Sequence, residues 1–217
     1  MPLKWRLTRA FFISLLFAFA FGLIAVQIGN QRIAGFDREI IRVVQGMESP
    51  SWTTVLKGFT WIGSGEVVAI LSLLVIVFLY KVLGHRKELI LFVWVAGGAG
   101  LLNMALKLAF HRERPTLHRL IEETGYSFPS GHSMGAFAFY GVLAYLLWRH
   151  MASRAAKVLL VLGSLVFILG IGISRIYLGV HYPSDVLGGY LASGTWLGLS
   201  IWVFEHRREL RERRESV

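Results

Sequence analysis

The amino-acid sequence predicts an all-α, polytopic membrane protein with six transmembrane helices and short amphipathic helices in its first outer loop. Hydrophobic residues make up 55% of the 217-residue chain, and the mean hydropathy is +0.57. Such an apolar content is unusual for a water-soluble domain of this size and indicates a lipid environment. The apolar residues form six segments, at residues 10–29, 67–80, 89–110, 133–148, 158–173 and 186–204. We therefore expect residues 1–217 to form a single integral membrane domain.

The first apolar segment, residues 10–29, has the position of a secretory signal peptide. Its apolar run is longer than the roughly 7–15 residues typical of such a peptide, and no persuasive small-x-small cleavage site follows. We expect it to be retained as a helix. The shorter segments reach the roughly 20 residues needed to cross a bilayer when their polar flanks are included.

The distribution of positive charge predicts the orientation. The chain has 23 Lys and Arg residues and a formal net charge of +10. Fourteen of them lie at the amino end, in the second-to-third and fourth-to-fifth connections, and in the carboxyl-terminal tail. Cytoplasmic loops collect Lys and Arg, so both termini are predicted to be cytoplasmic. Because the charge is dispersed over membrane loops, nucleic-acid binding is excluded.

The first outer connection is predicted to hold two short helices. Apolar residues recur at helical spacing over residues 36–47, and Ser49-Pro50 is typical of the start of a second helix. Amphipathic segments that carry Trp52 and Trp61 suit the membrane interface. Packing as a cap over the helix bundle is the alternative, and the two are compatible.

Two cationic residues lie where the third apolar segment ends. Lys107 is in its last turn, and Arg114 follows seven residues later, directly before Pro115. Seven residues are about two helical turns, so both side chains can point the same way if the helix continues. Pro115 predicts that the helix ends near Arg114. A snorkelling role is the alternative for Lys107.

The fourth apolar segment begins with Pro129, Ser130, Gly131 and His132. The first backbone N–H groups of a helix lack intrahelical partners, and together with the helix dipole they form an anion site. Gly131 lets a ligand approach the backbone, Ser130 adds a hydroxyl donor, and His132 can donate a proton. A plain helix cap is the alternative explanation.

The connection before the sixth segment carries Arg175, His181 and Asp185. The Arg175 guanidinium matches phosphate oxygens in shape. If Pro183 lies in the first turn of the sixth helix, Asp185 is close enough in sequence to reach one ring nitrogen of His181. The other nitrogen then becomes a better nucleophile. A purely structural His–Asp pair is the alternative.

Together, three cations, a helix amino end and two histidines on one predicted face describe a pocket for a phosphoryl group. The chain has no Cys, which excludes disulfides and thiolate metal sites. No carboxylate cluster suits Mg²⁺, and the three cations could supply the same electrostatic stabilisation. We expect phosphoryl transfer without a metal or other cofactor, through a phosphohistidine.

These residues resemble the three signatures of the type 2 phosphatidic acid phosphatase superfamily, with no departure at a signature position. The matching motifs are Lys107 with Arg114-Pro115, then Pro129-Ser130-Gly131-His132, then Ser174-Arg175 with His181 and Asp185. The chain looks most similar to small bacterial members, the B-type phosphatidylglycerophosphate phosphatases. The resemblance implies a lipid phosphatase of the bacterial inner membrane, with its active site on the outer face.

The resemblance also implies a role for each motif residue. His181 would be the nucleophile, Asp185 its partner, and His132 the acid for the leaving alkoxide. The phosphate-binding set would be Lys107, Arg114, Ser130, Gly131 and Arg175.

Three alternatives remain open at this stage. Some similar bacterial enzymes are undecaprenyl pyrophosphate phosphatases, so the headgroup is not fixed. Vanadate-dependent haloperoxidases share such a pocket but are soluble. A non-catalytic lipid-binding or transport protein would use the pocket only to hold a headgroup. The oligomeric state is open as well.

Nine further polar residues have no assigned role and either tune the choice of headgroup or solvate the loops. They are Glu66, Asn103, His111, Arg112, His118, Arg119, Glu122, Glu123 and Tyr126.

Overall fold

The computed structural model describes residues 3–81, 86–116 and 118–215, and this part of the chain forms eight α-helices and no β-strand. The helices are α1 (Leu3–Gly29), α2 (Ala34–Gln45), α3 (Pro50–Ile62), α4 (Gly65–Lys81), α5 (Arg86–Phe110), α6 (Gly131–Trp148), α7 (Arg154–Tyr177) and α8 (Pro183–Glu215). The all-α prediction is confirmed for these residues. The structure does not describe the side chains of five residues that are predicted to be cytoplasmic, Lys4, Arg6, Arg9, Arg86 and Lys87.

Four described helices are long and apolar enough to cross a membrane: α1, α5, α7 and α8. The helices α3 and α4 pass the same test as a pair, bent by 54° at the break between them, which gives five candidates if the pair is one span. The sequence predicts six. Six spans are not confirmed, because α4, with 17 residues, qualifies only together with α3, and α6, with 18 residues, is not among the candidates.

The outward faces of the long helices carry large apolar side chains. Phe19 on α1, Leu101 on α5 and Leu159 on α7 are 65%, 68% and 69% exposed. Apolar surface spread over several helix faces is unfavourable in water but suits contact with lipid tails. These faces therefore agree with a bundle that lies in a bilayer.

Helix α6 occupies the centre of the bundle and packs against α5, α7 and α8. Its inward residues Ala138, Phe139 and Val142 join α4 and α5 in one apolar core. Helix α8 is linked to α5 by a hydrogen bond from Trp196 Nε1 to the Val95 carbonyl at 3.2 Å. Because α5 and α7 end where α6 and α8 begin, one end of the bundle collects two helix carboxyl ends and two amino ends.

The two helices predicted in the first outer connection are present. Helix α3 begins with Pro50 at its first turn, and Ser49 accepts the backbone N–H of Trp52 as its cap. Helix α2 packs on α7 and α8, and α3 packs on α7. Both helices therefore cover the end of the bundle where the motifs lie, as the cap alternative requires. The apolar exposed side chains of Trp52 and Trp61 remain available to an interface.

Helix α5 ends earlier than the sequence predicts. Its last residue is Phe110, and His111 adopts φ 48°, which breaks the helical path. Lys107 thus lies in the last turn, but Arg114 is reached by irregular chain and not by a continuing helix. The local effect of Pro115 predicts a boundary about four residues too late, because the positive φ at His111 already ends the helix.

Candidate active site

The three motifs meet at one end of the helix bundle. Lys107 is in the last turn of α5 and Arg175 in the last turn of α7, whereas Gly131 begins α6 and Asp185 lies in the first turn of α8. The packing of α6 against its three neighbours brings these four ends together. Residues separated by up to 78 positions in the sequence therefore share one pocket.

His181 and Asp185 form a fully buried pair at the start of α8. The exposed fraction is 1% for His181 and 0% for Asp185. Because Pro183 begins the helix, Asp185 lies within one turn of His181, and the ring Nδ1 is 3.4 Å from the carboxylate Oδ2. The same Oδ2 accepts the backbone N–H of Tyr182 at 2.9 Å. The carboxylate is therefore fixed beside the Nδ1 edge of the imidazole.

The other edge of the His181 ring, at Nε2, faces Arg114. Arg114 Nη1 lies 3.1 Å from His181 Nε2. A guanidinium can only donate, so Nε2 must accept, and the ring proton belongs on Nδ1, facing Asp185. Burial, and next the charges of Arg175 and Arg114, hold the pKa of His181 well below its ordinary value. His181 is therefore a neutral imidazole with its lone pair directed into the cationic pocket.

The guanidinium of Arg114 is held by backbone carbonyl groups. It donates to Thr124 O at 3.0 Å, Gly125 O at 2.9 Å and Val180 O at 2.9 Å. The loop before α6 and the loop before α8 are thus joined through one side chain, which is 6% exposed. Arg114 therefore holds the two loops of the pocket together and also contributes positive charge to it.

The second guanidinium in the pocket, that of Arg175, is 1% exposed and is less completely paired than that of Arg114. Arg175 Nη1 donates to Thr60 Oγ1 at 2.5 Å, and Nη2 donates to Glu123. Its buried Nε has no hydrogen-bond partner among the described residues. Lys107 and His132 both lie within electrostatic range of Arg175 and Glu123. The pocket thus has donors that the protein itself does not fully satisfy.

Glu123 occupies the middle of this cationic cluster. It pairs with Arg175, and its Oε1 lies 3.9 Å from Arg114 Nη2. Burial favours the neutral acid, but the charges of Arg175 and Arg114 outweigh it and keep the pKa of Glu123 below its ordinary value. An ionised carboxylate therefore lies beside the guanidinium groups of Arg175 and Arg114. From the sequence alone, Glu123 is one of nine polar residues that either tune the choice of headgroup or solvate the loops, because it lies in a loop without periodicity or motif.

The start of α6 has the geometry of a capped helix. Ser130 Oγ accepts the backbone N–H of Ser133 at 3.4 Å and the Ser133 hydroxyl at 3.0 Å. Asn103 Nδ2 donates to Pro129 O at 3.0 Å, which anchors this turn to α5. The capping alternative for Ser130 is thus realised. A second function of its hydroxyl, and of the Gly131 N–H, in phosphate binding stays a prediction.

A second polar cluster lies behind the His181–Asp185 pair. Arg112 Nη1 donates to Asp185 Oδ1 at 2.7 Å, and its Nη2 donates to Asp37 Oδ2 at 2.8 Å. Ser184 also contacts Asp37, through its backbone N–H at 2.9 Å and its hydroxyl at 2.7 Å. No sequence motif includes Arg112, Asp37 or Ser184, so none of the three has a role that is predictable from the sequence alone. The spacing of apolar residues along the amphipathic helix α2 indicates that Asp37 is buried, whereas the composition of the helix does not.

No group of three or more His, Asp or Glu side chains within residues 3–81, 86–116 and 118–215 is arranged to hold a metal ion.

Comparison with known proteins finds the family that the motifs resemble. Residues 88–209 match the model of the PAP2 superfamily. Phosphatidylglycerophosphatase B of Bacillus subtilis is 35% identical over 176 residues, covering 78% of this chain and 84% of that protein. Undecaprenyl-diphosphatase BcrC of the same organism is 31% identical over 162 residues, covering 71% and 77%.

A solved structure gives the same result for the fold. The crystal structure of a transmembrane PAP2 type phosphatidylglycerolphosphate phosphatase from Bacillus subtilis aligns with a TM-score of 0.80 at 30% identity, covering 88% of this chain and 94% of that one. With the motif residues gathered in one pocket and the family match covering more than half of the sequence, this chain belongs to the PAP2 superfamily of membrane lipid phosphatases.

Proposed function

We propose that this protein hydrolyses phosphatidylglycerophosphate to phosphatidylglycerol and inorganic phosphate, through a phosphohistidine formed on His181. The observation that carries the proposal is the state of His181. Its imidazole is neutral and buried, its Nδ1 faces Asp185, and its Nε2 points into a cluster of cations. The substrate is inferred from the likeness to the Bacillus subtilis phosphatase over 78% of this chain.

The phosphate group enters the space between the cations. Lys107, Arg114 and Arg175 bind its oxygens, with the Ser130 hydroxyl and the Gly131 N–H as further donors. The partnerless Nε of Arg175 is a ready donor for one oxygen. Because Glu123 already pairs with Arg175, substrate has to replace that carboxylate. The lipid tails stay in the bilayer while the phosphate reaches the pocket from the side.

The first chemical step forms a P–N bond at His181 Nε2 and breaks the P–O bond to the lipid. Arg114 has to release Nε2 for this attack, and a phosphate oxygen is the competing acceptor that allows it to do so. His132 takes up a proton when the anionic phosphate binds beside it, and it gives that proton to the departing alkoxide. Asp185 stabilises the positive charge that develops on the imidazole.

The second step regenerates the enzyme. Water attacks phosphorus, and His132 accepts a proton from it, while the P–N bond breaks and the electron pair returns to Nε2. Inorganic phosphate then leaves and Glu123 can pair with Arg175 again. Positive charge from Lys107, Arg114 and Arg175 stabilises the phosphoryl oxygens in both steps, so we propose that no metal ion is needed.

Undecaprenyl pyrophosphate is the second candidate substrate. It is favoured by one observation, the 31% identity to undecaprenyl-diphosphatase BcrC over 71% of this chain. The same two steps would then break a P–O–P bond and leave a lipid monophosphate. The third possibility, a lipid-binding or transport protein without catalysis, predicts headgroup binding with no release of phosphate.

In the membrane, we propose six spans, with α4 and α6 completing the set of apolar helices, and both termini in the cytoplasm of a bacterium. The pocket then opens at the outer face of the inner membrane. The chain has no Cys, so a single introduced cysteine is the one thiol that can be labelled and reports the side of the membrane on which it lies. An impermeant maleimide added to intact spheroplasts should label Ser51→Cys on α3 but not a Cys added after Val217. The reverse pattern would overturn the orientation.

The function is tested by phosphate release from purified protein in detergent with EDTA. Phosphatidylglycerophosphate, undecaprenyl pyrophosphate and phosphatidic acid are compared, with His181→Ala as the control. We expect the highest kcat/KM with phosphatidylglycerophosphate. Preference for the pyrophosphate would select the second substrate, binding without release would select the non-catalytic role, and activity that requires Mg²⁺ would contradict the metal-free scheme.

A further inference from the structure

The carboxylate of Asp185 is held from two opposite sides. Its Oδ2 faces His181 Nδ1 at 3.4 Å and accepts the Tyr182 N–H at 2.9 Å. Its Oδ1 accepts a hydrogen bond from Arg112 Nη1 at 2.7 Å. The shortest of these three contacts is the one to Arg112. The orientation of Asp185 toward the imidazole therefore depends on a residue outside the His–Asp pair.

Arg112 is itself fixed by several contacts. Nη1 also donates to Ser184 Oγ at 2.8 Å, and Nη2 forms an ion pair with Asp37 at 2.8 Å. The guanidinium carbon lies 4.2 Å from the centre of the Tyr182 ring, within the range of a cation–π contact. A long flexible side chain is thereby confined to one geometry. Its position is set by α2 on one side and by the start of α8 on the other.

Asp37 connects this arrangement to the outer helix α2. Its side chain is 2% exposed, and its Oδ1 accepts the backbone N–H of Ser184 at 2.9 Å. It therefore caps the amino end of α8 from a different helix, next to the residues that begin it. Its Oδ2 receives both the Ser184 hydroxyl at 2.7 Å and Arg112. The contacts form a continuous path from Asp37 through Arg112 and Asp185 to His181.

The physical need for this path follows from burial. Asp185 is 0% exposed, so its ionised form has lost its hydration and requires a positive partner. His181 is neutral and cannot supply that charge in the resting site. Among the described residues, Arg112 is the one positively charged side chain that pairs with Asp185. Without Arg112, the carboxylate would favour its protonated form or turn away from Nδ1.

We infer that Arg112 and Asp37 are positioning residues for the catalytic pair: Arg112 keeps Asp185 ionised and directed at His181, and Asp37 holds Arg112 in place from α2. The inference rests on the proposed function, because it needs Asp185 to assist His181. It gives the first outer loop a task in catalysis that is separate from any contact with lipid. Neither residue touches the phosphate.

The test is a double-mutant cycle on kcat, with Arg112→Gln, Asp185→Asn and the double variant. We expect Arg112→Gln to lower kcat by about 10- to 100-fold, the range seen when groups that orient metal-ligating histidines are removed. KM should stay nearly unchanged, because the phosphate-binding cations are intact. In the Asp185→Asn background, Arg112→Gln should cost nothing further, since its effect passes through Asp185.

A set of milder variants keeps the test decisive if Arg112→Gln fails to fold. Arg112→Lys retains a positive charge and should recover part of the lost kcat. Asp37→Asn keeps an acceptor for Ser184 but loses the ion pair with Arg112. It should lower kcat, as Arg112→Gln does. The matched control is Glu39→Gln on the same helix, whose partner is the exposed Arg42. It should leave kcat unchanged, and melting temperatures in detergent check the fold of each variant.

The outcomes separate the inference from the proposed function. If Asp185→Asn retains normal kcat, the proposed mechanism fails. If Asp185→Asn loses activity but the folded Arg112 and Asp37 variants stay within about twofold of normal kcat, the positioning inference fails. Additive losses in the double variant would also overturn it, because Arg112 would then act independently of Asp185.

Discussion

The pocket contains two arginine–carboxylate clusters, one on each side of His181, and they differ in how completely they are satisfied. Arg112 is locked between Asp37 and Asp185, carboxylates that are 2% and 0% exposed and belong to helices. Arg175 pairs with Glu123, which is 31% exposed and lies in a loop, and the Nε of Arg175 has no described partner.

We propose that this difference lets one pocket combine a fixed His181–Asp185 pair with a carboxylate, Glu123, that substrate can replace. A carboxylate that is buried, capped and paired through several short bonds cannot move without exposing unsatisfied groups. A loop carboxylate with one strong partner and partial access to solvent can yield to a phosphate that offers more oxygens and more charge. We therefore expect substitutions behind His181 to change kcat and substitutions in front of it to change binding.

The largest effect is expected at the residue between the clusters. His181→Ala removes the nucleophile, and turnover should fall on the order of 10⁶-fold, as for the nucleophile of a serine protease. Lipid binding should persist because all three cations remain. Phosphate release and lipid binding, measured on the same preparation, check this. Near-normal turnover in this variant would rule out covalent catalysis by His181.

Asp185→Asn should have the second-largest effect. The amide can no longer accept the Nδ1 proton as a carboxylate does, so the ring loses control of its tautomer. A drop in kcat of about 10⁴-fold is expected by analogy with a serine protease triad. Single-turnover rates at saturating substrate measure it. A change confined to KM would place Asp185 in binding and not in support of the imidazole.

Arg175→Gln should weaken substrate binding and transition-state stabilisation together. It removes the donors that face Glu123 and Thr60, so kcat/KM should fall by about 10²- to 10³-fold, the range found for a single oxyanion donor. KM should rise in this variant, in contrast to Arg112→Gln. Steady-state kinetics of the two variants, measured side by side, show whether KM rises in Arg175→Gln and stays unchanged in Arg112→Gln. Identical KM and kcat patterns would show that the two clusters do not differ in function.

Glu123→Gln should have a small effect of the opposite sign on anion binding. Removing the competing carboxylate charge should tighten inhibition by inorganic phosphate up to about fivefold, the scale of a partly exposed ion pair. The matched control is Glu122→Gln, whose carboxylate is 91% exposed and lies 3.9 Å from Arg119. Weaker inhibition, or equal behaviour of both variants, would mean that Glu123 does not occupy the phosphate position.

The smallest expected effect is on stability against pH. The pKa of His181 is lowered by folding, so the unfolded chain binds a proton more readily than the native one. The contribution of neutral His181 to stability is therefore complete above about pH 6.5, the unfolded value, and is lost as the pH falls below it. Melting temperatures in detergent between pH 7 and pH 5 should decline less steeply in His181→Gln. Parallel curves would contradict the assignment of a depressed pKa.

Much of the fold was predictable because it depends on local patterns. Hydropathy predicts the long helices, and the pair Ser49-Pro50 predicts the start of α3. The positions of Lys107 and Asp185 in terminal turns also follow from sequence spacing. Each of these features is determined within a few residues, so no tertiary information is needed to find it.

The rest could not be predicted because it depends on contacts between distant segments. Asp37 and Arg112 are 75 residues apart, and nothing local indicates that they meet. Glu123 lies in an irregular loop, where no period identifies the direction of a side chain. Helix α5 ends at Phe110 and not near Arg114, because His111 adopts a positive φ that the surrounding sequence does not indicate.

In the proposed mechanism, His181 carries the phosphoryl group during turnover. Rapid quenching of the enzyme with lipid labelled in its terminal phosphate tests this directly. We predict protein-bound label that forms before inorganic phosphate appears, maps to His181 and is absent from His181→Ala. Label on another residue, or full-rate phosphate release with no labelled protein at any quench time, would contradict the account.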